Sequence, residues 1–147
     1  MFNLRPATAD DFPAIRALIH QVGINPTGLD WRRFLLAVTP QGEMVGCGQI
    51  KPHGDGSREL ASIAVAPAWR EQGVARSIIE HLMAGEPGPL YLTCRASLGR
   101  FYARFGFQAI EQAQMPPYFR RVSRLVNAFK SIRLVGEDLL VMRWERS

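Results

Sequence analysis

The chain has 147 residues, 47% of them hydrophobic and 10% aromatic, with a formal net charge of +5. That length suits one domain with one core, 1–147, and that composition excludes a disordered chain. No apolar run approaches the ~18–20 residues that cross a bilayer, and the N-terminus, MFNLRPATADD, lacks the features of a secretory signal, so a cytoplasmic protein without a membrane partner is expected.

In chain order, Phe2 to Arg5 reads as a first strand. Asp10 is a candidate N-cap, with Pro13 in the first turn of a helix that runs to about Val22. Phe12, Ile15, Leu18, Ile19 and Val22 form its apolar stripe. Gly23 to Trp31 reads as a loop that can end in a helical turn. Phe34 to Val38 and Met44 to Ile50 read as a hairpin around Pro40 to Glu43. Gly46 and Gly48 in its second strand suggest a bulge or close packing, since no helix follows them. Pro52 to Ser57 is a turn, and its His53 is expected to be solvated.

The stretch ELASIAVAPAWREQGVARS, Glu59 to Ser77, changes period within itself. It begins as a strand that Pro67 ends, turns through Arg70 to Ala75, and becomes helical from Val74 with Ile78, Ile79, Leu82 and Met83 on one face. The first N–H groups of a helix have no internal partner, and the helix dipole adds positive charge there. A glycine at that point, Gly73, lets backbone approach an anion, so the turn is a candidate phosphate site. It is neither G-x-x-x-x-G-K-[ST] nor G-x-G-x-x-G.

Gly85 to Gly88 stops this helix, and Leu90 to Cys94 is a further strand. Ser97 is a candidate cap for a helix to Phe105, with Gly106 at C′, and Phe107 to Ile110 reads as a strand. Met115 to Pro117 introduces an amphipathic helix to about Ile132, with Tyr118, Val122, Leu125, Phe129 and Ile132 as its stripe. Gly136 breaks it, and Leu139 to Trp144 is a last strand. Strands and helices so mixed imply α/β or α+β packing around one sheet. Cys47 and Cys94 lie in apolar strand-like runs and are expected as buried reduced thiols, with no metal site.

Two segments carry a family resemblance. Arg70-Glu71-Gln72-Gly73-Val74-Ala75 resembles the [Q/R]-x-x-G-x-[G/A] pyrophosphate loop of the GNAT N-acetyltransferases, and Tyr102-Ala103-Arg104-Phe105-Gly106-Phe107 resembles the same family's Y-x-x-x-G-F segment downstream. The resemblance implies one GNAT-type domain: a mixed, mostly antiparallel sheet flanked by helices, here with an extra amphipathic helix before the last strand. It implies acetyl-CoA as cosubstrate. Backbone of Ile63, Ala64 and Val65 would hold the pantetheine arm, and Gln72, Gly73, Val74, Ala75 and Arg76 the pyrophosphate, within a cofactor-binding run that includes Arg70, Glu71 and Ser77. Arg95 departs from the pattern, standing where many relatives carry asparagine.

Acetyl transfer to an amine needs a neutral nucleophile, a donor for the carbonyl and, in some cases, a proton for the leaving thiolate. The resemblance puts Tyr102 forward as acid and Glu59 as base. Their other roles are a core aromatic with a wet edge, and a strand-end charge paired with Arg58 or solvent. The run 118–133 holds Arg120, Arg121, Arg124, Lys130 and Arg133 with no acid. It reads as a solvated face, a carboxylate recogniser, or a surface for nucleic acid or a partner protein. The leading function is acetylation of a small amine or amino acid. The alternatives are a protein lysine or N-terminal acetyltransferase, and a non-catalytic CoA- or partner-binding module. Nucleic acid is not the expected partner, and a monomer or homodimer is.

Overall fold

A computed structural model of the chain describes residues 1–129 and 138–147. In chain order these form β1 (Asn3–Pro6), α1 (Phe12–Val22), β2 (Phe34–Val38), β3 (Met44–Pro52), β4 (Arg58–Val65), α2 (Val74–Ala84), β5 (Leu90–Arg95), α3 (Gly99–Ala103), β6 (Gln108–Ala109), α4 (Pro117–Phe129) and β7 (Leu139–Trp144). Among the described residues the sheet has seven strands in the order β1-β2-β3-β4-β5-β7-β6. The pairs β1–β2, β2–β3, β5–β7 and β6–β7 are antiparallel, and β4–β5 is parallel with Glu59 opposite Tyr91. This is the mixed, mostly antiparallel α/β class expected from the sequence.

The chain divides into two units, Met1–Lys51 with Leu60–Gly85, and Pro52–Glu59 with Glu86–Ser147. In the first, the α1 stripe buries Ile15, Leu18 and Ile19 with Phe34, Leu36, Cys47 and Ala64. The opposite alternation of β2 and β3, Leu35, Ala37 and Val45, packs with Val74 and Ile78 of α2. Gly46 and Gly48 are there for that packing. A Cβ on Gly46 would stand 2.5 Å from Val74 Cγ1, and one on Gly48 2.6 Å from Ile63 Cδ1. A register shift between Ala37 and Val38 adds the bulge. Gln49 is fully buried, and its Nε2 donates to the Gly28 carbonyl and to Ser62 Oγ, which pins the 23–31 loop. Both thiols are buried and free, as expected, and burial pushes Cys47 up to about 12 and Cys94 up to about 11.

Some boundaries differ from the expectation. Asp10 does not cap α1. A 3-10 turn, Ala9–Asp11, precedes the helix, and the Asp11 carboxylate accepts from both Arg5 nitrogens at 2.8 and 2.9 Å and from the Thr8 N–H at 2.7 Å. Ser97 lies inside another 3-10 turn, Ala96–Leu98, and α3 begins only at Gly99 with Leu98 in the N-cap position. β6 is shorter than the expected 107–110, covering only Gln108–Ala109, and the adjoining Phe107 is a core residue, 1% exposed.

In the second unit, Tyr91, Met115, Phe119 and Val141 form the core under α4. The apolar stripe of α4 is turned from the expected one. Phe119 is fully buried, while Leu125 is 59% exposed and Phe129 54%. The expected helix end at Ile132, the break at Gly136, and the cations Lys130 and Arg133 lie outside the described residues.

Candidate active site

The turn before α2 has the form of an anion cradle. Glu71 has φ 63° and Gly73 φ 82°, so two of three consecutive residues are left-handed. Gly73 is the N-cap of α2, and no side chain caps the helix there. A Cβ built on Gly73 meets nothing within 4 Å, so the space beside this backbone is open. The leading N–H groups of α2 have no partner within the helix and are directed into that turn by the helix geometry. Gln72 donates to the Ala68 carbonyl at 3.2 Å, which steadies the turn. Arg70 is exposed, and Arg76 pairs at 3.5 Å with Glu80 one helical turn on. Val74 is buried, whereas Ala75 and Ser77 are half-buried. The residues present therefore fit a pyrophosphate held by backbone. On the same unit, Ile63, Ala64 and Val65 follow Ser62, whose φ of 60° is left-handed in the middle of β4.

In the second unit a polar cluster surrounds Glu59. This carboxyl is buried, and its Oε1 lies 2.8 Å from His53 Nε2. Arg58 does not pair with it. Arg58 binds the Glu86 carboxylate through Nε and Nη2. Nor is Glu59 solvated, so neither part of the strand-end role holds. His53 was expected in solvent and is not there: its side chain is 9% exposed. Its ring stacks on Tyr118 at 3.6 Å between centroids and meets Phe119 edge-on at 5.6 Å. Phe119 in turn stacks on Tyr91.

Asp55 ties this turn to α4. Its Oδ1 accepts from the Ser57 N–H and hydroxyl, and its Oδ2 accepts from the Tyr118 N–H at 2.9 Å. That last bond satisfies one of the orphan donors of α4, as an N-cap would. Burial raises the Asp55 carboxyl, and the Ser57 and Tyr118 donors with the nearby His53 outweigh it, leaving it at about 2. Burial raises the Tyr118 hydroxyl, the charge of Glu59 raises it further, and Arg121 opposes both. The sequence offered no sign of this cluster beyond the proximity of His53 to Glu59 along the chain.

Tyr102 lies on α3, edge-on to Phe101 and Phe107. Burial, with Cys94 nearby, pushes its hydroxyl up to about 12. It therefore keeps its proton at any ordinary pH and is available as a donor. Of the arginines on α4, Arg120 is structural, with Nη2 bonded to the Met115 carbonyl at 2.9 Å and Nε to that of Gln112. Arg121 and Arg124 are exposed. Arg95 is exposed at the end of β5.

No curated protein sequence matches this chain. Among solved structures it is similar to N-acetylglutamate synthase from Neisseria gonorrhoeae complexed with coenzyme A and N-acetyl-glutamate, with TM-score 0.71 and 22% identity over 99% of this chain. It spans only 36% of that protein's chain. It is similar to Rv2747 from Mycobacterium tuberculosis in complex with CoA and NLQ, with TM-score 0.74 and 22% identity over 99% of both chains. It is also similar to the ribosomal-protein-S18-alanine N-acetyltransferase from Escherichia coli, with TM-score 0.66 and 18% identity over 100% of this chain and 96% of that one. These likenesses concern the fold. The acetyltransferase (GNAT) domain model matches residues 30–109, a span that takes in Glu59, the Gly73 turn and Tyr102, and the chain accordingly belongs to the GNAT acetyltransferase family.

Proposed function

We propose that this chain transfers an acetyl group from acetyl-CoA to the primary amine of a small molecule, an amino acid or a close relative, by direct attack in a ternary complex. The observation that carries the proposal is the buried carboxyl of Glu59, whose Oε1 lies 2.8 Å from His53 Nε2. A positioned carboxylate is among the side chains that serve as general bases. Acetyl-CoA supplies the thioester. The backbone of Ile63, Ala64 and Val65 holds the pantetheine arm, and the turn from Arg70 to Ser77 holds the pyrophosphate. Glu59 takes the proton of the amine, directly or through water. The nitrogen lone pair then forms the C–N bond as the C–S bond breaks, the Tyr102 hydroxyl gives the departing thiolate its proton, and the surplus proton on the acylated nitrogen returns to the Tyr102 oxygen, directly or through water. Holding both reactants in one complex contributes much of the acceleration.

An amino-acid acceptor is supported by the similar gonococcal enzyme, whose structure contains N-acetyl-glutamate. The exposed Arg121 and Arg124 of α4 are candidates to meet its carboxylate. The test is a panel of amines, amino acids and peptides assayed for CoA release with acetyl-CoA as donor. Transfer to at least one small amine is expected. Transfer only to peptides would replace the small-molecule acceptor with a protein one, and binding of CoA without transfer to any amine would leave a binding module.

A further inference from the structure

His53 has no part in the sequence motifs, yet it makes the hydrogen bond that holds the candidate base. The bond is 2.8 Å, with side-chain exposures of only 9% for His53 and 10% for Glu59. A carboxylate can only accept, so it is the ring Nε2–H that donates to Oε1. The ring is itself fixed. Tyr118 lies flat against it at 3.6 Å with 17° between planes, and Phe119 closes its edge. Tyr118 is fixed by Asp55, which belongs to the same turn as His53 and accepts the Tyr118 N–H. The charged and titratable groups around the imidazole are thus Glu59 from β4, Asp55 from its own turn, and Tyr118 from α4, with Arg121 beside Tyr118. Tyr91 of β5 lies behind Phe119.

We propose that His53 is a positioning residue for the acetyl transfer, holding the Glu59 carboxylate by Oε1 so that its other oxygen receives the proton of the incoming amine. This rests on the assignment of Glu59 as base. Three features of the site favour a directional role over packing alone. An aromatic filler between Tyr118 and Phe119 needs no N–H. A buried carboxylate without a donor is costly. And a carboxylate held by one oxygen in one orientation is ready for proton transfer, whereas one free to turn is not.

The role separates from packing by substitution. His53→Phe keeps a ring against Tyr118 and removes the donor. His53→Gln removes the ring and retains an amide N–H that reaches as far as Nε2. His53→Asn carries an amide that stops short, and serves if His53→Phe folds poorly by melting temperature. Each is measured with Glu59→Gln for kcat and KM on the best amine of the panel. Expected is a fall in kcat of about 10²-fold for His53→Phe or His53→Asn, unchanged KM for acetyl-CoA, and recovery of most of the rate in His53→Gln. Combining His53→Phe with Glu59→Gln is expected to cost little more than Glu59→Gln alone, because both remove one device. A slow Glu59→Gln beside a His53→Phe of wild-type rate would overturn the role of His53 and leave the base in place. A His53→Gln as slow as His53→Phe would also overturn it, because the restored N–H donor would then restore no rate. A Glu59→Gln of wild-type rate would remove the base itself, and the proposal with it.

Discussion

At the scale of single residues, the two assignments taken from motif positions are separable by what each substitution leaves intact. Gly73 has φ 82° and open space where a Cβ would stand. Gly73→Asp puts strain into the turn and a negative charge into the cradle. It is expected to abolish CoA binding, read by calorimetry, in a protein that still folds. Tyr102→Phe removes only a hydroxyl from a ring set among Phe101 and Phe107. CoA affinity is expected to stay as it was, and turnover to fall by roughly 10²-fold or more, which is the contribution of a positioned acid. Steady-state rates on a confirmed acceptor check this, and an unchanged rate would assign the proton to water. The motif residues were legible because local chain geometry makes them what they are: a strand, a left-handed turn and a helix start are consecutive in sequence. His53 was not legible. Its partner Glu59 is a few residues along, but the contact exists only because the hairpin folds back and because Tyr118 covers the ring.

At the scale of elements, the glycines of β3 and the tie from Asp55 make the clearest demands. A Cβ on Gly46 would come within 2.5 Å of Val74 and 3.1 Å of Ile78, both fully buried. Gly46→Ala is expected to destabilise the fold by about 1–3 kcal/mol, the ordinary cost of overpacking, measurable by urea denaturation. Asp55→Ala leaves a leading N–H of α4 without its acceptor. The expected loss is about 0.5–2 kcal/mol, as for a lost N-cap, with faster hydrogen exchange at Tyr118 as the local sign. The hairpin of β2 and β3 and both long helices of the first unit follow from period and turn residues, and the sequence shows them close to their true bounds. The phase of α4 departs from the expected one because apolar side chains lie on two sides of it. Tyr118, Val122, Leu125 and Phe129 make a stripe of helical period, but the contact of Phe119 with Tyr91 decides which side faces the core. That contact joins parts of the chain far apart in sequence, so periodicity carries no record of it.

For the molecule as a whole, Asp11 and Asp55 are two of the carboxyls that contribute to the response to acid. Asp11, chiefly through Arg5, and Asp55, through donors that outweigh its burial, both lie below the ordinary aspartate value. A folded-state pKa below the unfolded one means that the unfolded chain binds more protons, so this stability is present above the unfolded value and is lost as pH falls. For Asp55 the window runs from 3.8 down to about 2. Denaturation midpoints are expected to be flat with respect to these groups near neutral pH and to drop across that window. Asp55→Asn is expected to be less stable at neutral pH and to show a shallower drop. An equally steep drop in that variant would assign the acid response to Asp11 and other groups.

The strand order at the far edge of the sheet has a consequence for the newly made chain. β7 follows both β5 and β6 in the chain, yet it lies between them, pairing Leu90 with Trp144 on one side and Gln108 with Arg143 on the other. When residues 90–129 have left the ribosome, β5 has emerged without its antiparallel neighbour and β6 has no strand beside it. Closure of these pairings therefore waits until residues 139–144 have been made. Until then Leu90, Leu92 and Cys94 stand on an open edge, available to any other strand that arrives first.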